Sequence, residues 1–260
     1  MADVAGPAVT NPRFQNKTAF ITGGAVGLGQ AFARALTREG ASVAIADVDT
    51  EGAERTAAEL TSCGAQAIAV NCDVADEHQV DAAVAATVGK FGGIDILINN
   101  AARHLLRYNQ PFGVLSRDEV RGLFDVNIMG VINCTLACRD SMRNRGGGVV
   151  LNLASTTGFQ SSRPYGVSKL AVRGLTVAFA SELSPDLIRV NAIAPGLTNT
   201  ANTLADVPHS MIEDIQDLQL INRVGTEQDM VSAMLYLCSD EASFVTGETL
   251  KVCGGYPLTI

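Results

Sequence analysis

The chain has 260 residues, of which 47% are hydrophobic and 18% charged, with a formal net charge of −8 at neutral pH. That length and apolar share suit one soluble domain with a large core. The charge would repel a phosphate backbone, and no uninterrupted apolar run approaches the roughly 18 residues of a membrane span, so neither nucleic acid nor membrane is expected as a partner.

Residues 1–15 have neither a basic start nor a long apolar centre. They read as a flexible N-terminal segment rather than a secretion signal, ahead of a single domain over 16–260 in a cytoplasmic protein. Short apolar runs then alternate with amphipathic stretches. The runs at 18–22, 42–46, 67–70, 94–98, 149–153, 189–193 and 249–252 predict strands. They are rich in Val, Ile and Ala and mostly apolar rather than alternating, as strands covered on both faces are.

Stretches 30–39, 52–60 and 80–91 predict crossover helices, and 116–145 and 165–182 predict two long central ones. The fold class expected is α/β, a doubly wound seven-stranded parallel sheet with helices on both faces. Two stretches break the alternation, 103–115 and an acidic one at about 197–223. Both follow strand ends, where open parallel sheets bind ligands, and they are candidates for the walls and lid of a substrate pocket.

Six cysteines include no C-x-x-C pair and no histidine at metal spacing, which predicts reduced thiols and no metal site. Cys134 and Cys138, one helical turn apart in an apolar stretch, read as core.

The first strand runs directly into Thr22-Gly23-Gly24-Ala25-Val26-Gly27-Leu28-Gly29, and a helix follows. Glycines there let the backbone approach a pyrophosphate, which the free amides and positive end of the helix attract. Asp47 ends the second strand, 24 residues after Gly23, where a carboxylate accepts from the adenosine ribose hydroxyls. No Lys or Arg stands in 24–27 or just after Asp47, so NAD is expected over NADP in a single-domain Rossmann fold. Asp47 as a simple helix cap is the competing reading.

Tyr165 and Lys169 are four apart at the start of a predicted helix, with Pro164 in its first turn. A free phenol titrates near pH 10, so catalysis near neutrality asks for a depression of about three units, roughly 4 kcal/mol. A cation about 4 Å away supplies approximately that at an effective dielectric near 20. Ser155 follows the fifth strand, where a hydroxyl can hold a substrate oxygen against the tyrosine. Asn127 lies in the preceding long helix, where a buried amide can bind a water that relays protons to the lysine. Each also has an ordinary reading, Ser155 as a turn residue and Asn127 as a core amide.

From about Asn16 onward the sequence resembles the short-chain dehydrogenase/reductase family. Its T-G-x-x-x-G-x-G is Thr22 to Gly29, its D-V is Asp73-Val74, its N-N-A-G is Asn99-Asn100-Ala101-Ala102, and its Y-x-x-x-K is Tyr165 and Lys169. The resemblance implies a tetrad of Asn127, Ser155, Tyr165 and Lys169. It also implies cofactor contacts from Gly23, Gly27, Leu28, Gly29, Asp47, Asp73, Val74, Asn100, Ala101 and Ala102, from Tyr165 and Lys169, and from Pro195, Gly196, Thr198 and Thr200 around nicotinamide. A homotetramer or homodimer is implied as well.

The closing segment 239–247 is similar to the branch of 3-oxoacyl carrier-protein reductases and alcohol, sugar and steroid dehydrogenases. Ala102, Thr198 and Cys253 depart from the family's usual residues. Ser155 precedes Tyr165 by ten residues, against about thirteen in many relatives, a shortening that a loop tolerates. The expectation is a dehydrogenase moving hydride between NAD(H) and a secondary alcohol or ketone. Its rivals are an NADPH-dependent 3-oxoacyl carrier-protein reductase and a non-catalytic dinucleotide-binding regulator.

Overall fold

The computed structural model describes residues 12–103, 105–160, 162–199 and 209–258. Strands β1 (Thr18–Thr22), β2 (Ser42–Asp47), β3 (Ala67–Asn71), β4 (Ile96–Asn99), β5 (Gly148–Leu153), β6 (Ile188–Pro195) and β9 (Thr249–Val252) form one parallel sheet in the order β3-β2-β1-β4-β5-β6-β9. Two-residue strands β7 (Thr198–Asn199) and β8 (Gly225–Thr226) pair separately. This is the expected doubly wound sheet, and its order reverses between β1 and β4, which opens a crevice beyond the carboxyl ends.

The strands are mostly apolar because neighbouring residues enter different cores. On β1, Ile21 joins Phe32, Leu36 and Met234 on one face, while Phe20 joins Leu97, Cys138 and Met142 on the other. Helices α1 (Gly27–Arg38), α2 (Thr50–Ser62) and α10 (Glu227–Cys238) supply the first core, and α3 (Glu77–Phe91), α6 (Gly130–Asn144) and α8 (Pro164–Glu182), which follows the one-turn α7 (Thr157–Gln160), the second. The starts of α2, α3 and α10 are set by side chains of Asp49, Asp76 and Thr226 that accept from first-turn amides. Cys134 and Cys138 are buried, and burial pushes both thiols up.

Four expectations change. The boundary at 15/16 falls too late: Phe14 is buried and its amide donates to the Glu39 carbonyl at 2.9 Å, while residues 1–11 lie outside the described residues. The single helix expected over 116–145 is α5 (Arg117–Phe124), a π turn at Asp125–Met129, and α6. By length and composition the run 117–144 could cross a membrane, yet it carries Cys134, Cys138 and Met142 into the core. The irregular stretch 197–223 contains α9 (His209–Leu218), and 103–115 contains α4 (Leu105–Tyr108).

Candidate active site

The loop from β1 to α1 is shaped for an anion. Gly27 has φ +60°, and a side chain there would meet nothing within 4 Å, so the backbone faces open space. A Cβ on Gly29 would instead collide with the Gly23 carbonyl oxygen, so this glycine lets α1 pack tightly behind the loop. Val26 gives α1 no side-chain cap and its first turn holds no acid, so its amides are open to a negatively charged ligand.

Neighbouring strand ends hold the loop. Thr22 Oγ1 accepts from the Asn100 and Ala101 amides at 3.0 and 3.1 Å, and Asn100 Nδ2 donates to the carbonyls of Thr22 and Gly23 at 3.0 and 2.8 Å. The Asn100 side chain, expected beside a ribose, is thus committed to the loop. Asp47 accepts from the amides of Ala25 (2.9 Å) and Asp49 (3.0 Å), and it is Asp49 that caps α2. The cap reading of Asp47 therefore fails.

A cleft of about 880 Å³ crosses the carboxyl edge of the sheet. Gly23, Gly27, Leu28, Asp47, Asp73, Val74, Asn100, Ala101 and Ala102 line it from the first four strands, and Ser155, Tyr165, Lys169, Pro195, Gly196 and Thr198 from the rest. Gly29 lies behind the surface, and Thr200 lies outside the described residues. The walls include Arg103, Leu106 and Asn109 from one irregular stretch and Leu197 and Ile215 from the other. Gln160, Ser162, Arg163, Tyr256 and Pro257 are among the lining residues that were not expected; of these Arg163, two residues before Tyr165 across a shortened loop, carried a local signal.

Asn127 is not at the cleft surface. It sits buried in the π turn, a helix irregularity often found at functional sites. Its Oδ1 accepts from the Arg103 amide at 2.8 Å and its Nδ2 donates to Ser168 Oγ at 3.0 Å. Ser168 in turn donates to the Tyr165 carbonyl at 2.7 Å. The amide expected to hold a water therefore joins Arg103, four residues beyond β4, to Ser168 of α8.

Ser155 Oγ accepts from the Thr157 hydroxyl (2.9 Å) and amide (3.2 Å), which leaves its own proton for an acceptor in the cleft. Lys169 Nζ donates to the Leu153 carbonyl at 2.7 Å and stands 5.7 Å from the centre of the Tyr165 ring. Burial pushes the Tyr165 phenol up and pulls Lys169 down to about 8. The ammonium-driven fall expected for the phenol is thus absent from the free protein, because desolvation opposes the charged form of both groups.

A family profile described as enoyl-(acyl carrier protein) reductase matches residues 23–257. An uncharacterised oxidoreductase of Mycobacterium tuberculosis is 41% identical over 242 residues, which is 93% of this chain and 98% of that protein. A 3α-hydroxysteroid dehydrogenase of Mediterraneibacter gnavus is 36% identical over 245 residues, 92% of this chain and 96% of its own. Among solved structures, a 7α-hydroxysteroid dehydrogenase complexed with NADH and 7-oxo glycochenodeoxycholic acid superposes with a TM-score of 0.88 at 32% identity, over 94% of this chain and 96% of that one. Similarity of this extent along nearly the whole sequence means that the chain belongs to the short-chain dehydrogenase/reductase family of oxidoreductases.

Proposed function

We propose that this oxidoreductase interconverts a secondary alcohol and its ketone with NAD(H) as cofactor. The observation that carries the reading is that Ser155, Tyr165 and Lys169 line the same cleft as the open helix terminus of the glycine loop. A dinucleotide fits that terminus: its diphosphate would take the amides of 27–29 and its adenosine ribose the Asp47 carboxylate. When bound, it would supply or accept the hydride. Asp47 and Asp73 line what would be the adenosine end, and among the described lining residues no lysine or arginine neighbours them in sequence. A 2′-phosphate would meet two carboxylates there, which favours NAD and disfavours the NADPH-linked reductase.

Ser155 has a free O–H to donate to the substrate oxygen. In reduction the Tyr165 phenol gives its proton to that oxygen, and in oxidation the phenolate takes it back. Burial keeps the phenol protonated, so the free protein is set for reduction at neutral pH and oxidation gains as pH rises. Lys169 would hold the nicotinamide ribose, and Asn127 fixes the start of α8 that carries both residues.

Exposed apolar residues on α6 and α8, Leu136, Leu170 and Val177, support a homotetramer. Six free thiols suit the reducing cytoplasm. The test is turnover of a panel of cyclic, steroid and open-chain alcohols and ketones with each dinucleotide. Turnover with NAD(H) at least tenfold above NADP(H) is expected; equal rates overturn the cofactor assignment, and no turnover overturns the reaction.

A further inference from the structure

Arg103 and Arg163 both line the cleft and both are exposed. Arg107 nearby pairs with Glu119, but among the described residues neither Arg103 nor Arg163 has a carboxylate partner. Arg103 Nη1 donates to the Tyr108 hydroxyl at 3.0 Å, and Tyr108 packs in the apolar cluster that Tyr165 touches. Arg163 is the residue from which α8 starts, and its side chain caps nothing.

The acids that line the cleft, Asp47 and Asp73, are at its adenosine end. The cleft is therefore acidic where the ribose would lie and basic beside Tyr165, in a chain of net charge −8. The open amides of the glycine loop already suit a diphosphate, so the dinucleotide does not require the two guanidiniums. Positive groups on a concave wall concentrate the field on an incoming anion, and guanidinium matches the two oxygens of a carboxylate. The wall shared with them carries apolar Leu106, Leu197, Ile215 and Tyr256 beside polar Asn109, Gln160 and Ser162.

We infer that the substrate is a hydroxy or oxo compound carrying a carboxylate, which Arg103 and Arg163 hold while its apolar body lies along Leu106, Leu197, Ile215 and Tyr256. The inference rests on the dehydrogenase reading of the same cleft. It adds an anion subsite that selects acids over their neutral analogues.

The test measures kcat/KM with NADH for oxo-carboxylic acids with steroid, cyclohexane and straight-chain bodies, each beside its methyl ester. An exposed ion pair is worth up to about fivefold, so two favour the acid about tenfold in the wild type. Arg163→Gln and Arg103→Gln should each cut the acid-to-ester ratio about threefold, and the double variant should bring it near one. Arg103→Lys, which retains the charge, should keep most of the ratio, and about 0.5 M salt should lower it. NADH affinity is measured on every variant. A wild-type ratio near one overturns the inference and leaves the dehydrogenase reading standing. Equal losses on acid and ester, or weakened NADH binding, assign the arginines to the frame or the dinucleotide and overturn it too. Reduction of simple ketones but of no acid in the panel counts against it in the same way, whereas reduction of nothing at all sinks the dehydrogenase reading and the inference together.

Discussion

At the ends of β1, β2 and β4, Thr22, Asp47 and Asn100 commit their polar atoms to the glycine loop, which is set before any ligand arrives. At the end of β5 and the start of α8 the arrangement is the reverse. Tyr165 and Lys169 are taken out of water without a charged partner, and the proton of Ser155 points to no acceptor within its turn. One half is a finished cradle, and the other keeps its chemistry in reserve for what the cradle brings. Substitutions in the two halves should therefore fail differently: the first in stability and cofactor binding, the second in turnover and in the response to pH.

The largest effect expected is from Tyr165→Phe. Removing one phenolic oxygen from the reserve half should lower kcat by about a thousandfold, within the range for a general acid/base. NADH binding and the thermal midpoint should remain near those of the wild type. A variant that retains a tenth of the rate would take the phenol out of the chemistry.

Gly29→Ala tests the cradle in the opposite way. A Cβ there strikes the Gly23 carbonyl oxygen and the Asn100 side-chain nitrogen bonded to it, which leaves little room to yield. Overpacking of this kind costs about 2 kcal/mol, a thirtyfold shift toward the unfolded chain, read by denaturant titration. NADH affinity should fall with it. A variant as stable as the wild type would show that the loop is softer than its bonds imply.

Asp47→Asn is milder, since the amide keeps one acceptor, for Ala25, while it loses the charge and the bond from the Asp49 amide. NAD affinity should drop about tenfold, as for a lost charge-assisted bond, and the preference over NADP should narrow. An unaltered preference would remove Asp47 from cofactor selection.

How much of this was legible from the residues follows the same division. The cradle is written locally: consecutive apolar strands reveal a sheet covered on both sides, and Gly23 to Gly29 and Asp47 sit where the chain must turn. The departures arise from contacts across the chain. Phe14 looks like a lone apolar residue in a polar tail until Glu39 and the first core receive it. The π turn leaves no periodic trace, and the Arg103 amide and Ser168 that occupy Asn127 lie 24 and 41 residues away. Helix α9 did carry a signal, Met211, Ile212, Ile215 and Leu218 at helical spacing, but Glu213, Asp214 and Asp217 among them make the stretch read as an acidic loop.

The smallest effect separates the halves by pH. Lys169 is pulled down to about 8 by burial, so in the free protein it is mostly an ammonium at pH 7 and mostly neutral at pH 9. Ribose hydroxyls bind the charged form more strongly, and binding above pH 8 must therefore recapture a proton. NADH affinity should fall about threefold between pH 7 and pH 9, the size of a modest charge-assisted contact. Lys169→Met should bind less tightly at pH 7 and lose this dependence, because the group that titrates is gone. Asp47→Asn should bind less tightly while keeping the same slope, since Lys169 is still there to titrate. If wild-type affinity is flat from pH 7 to pH 9, Lys169 is already charged or does not touch the cofactor, and the contrast between a finished cradle and a waiting catalytic end loses its lysine.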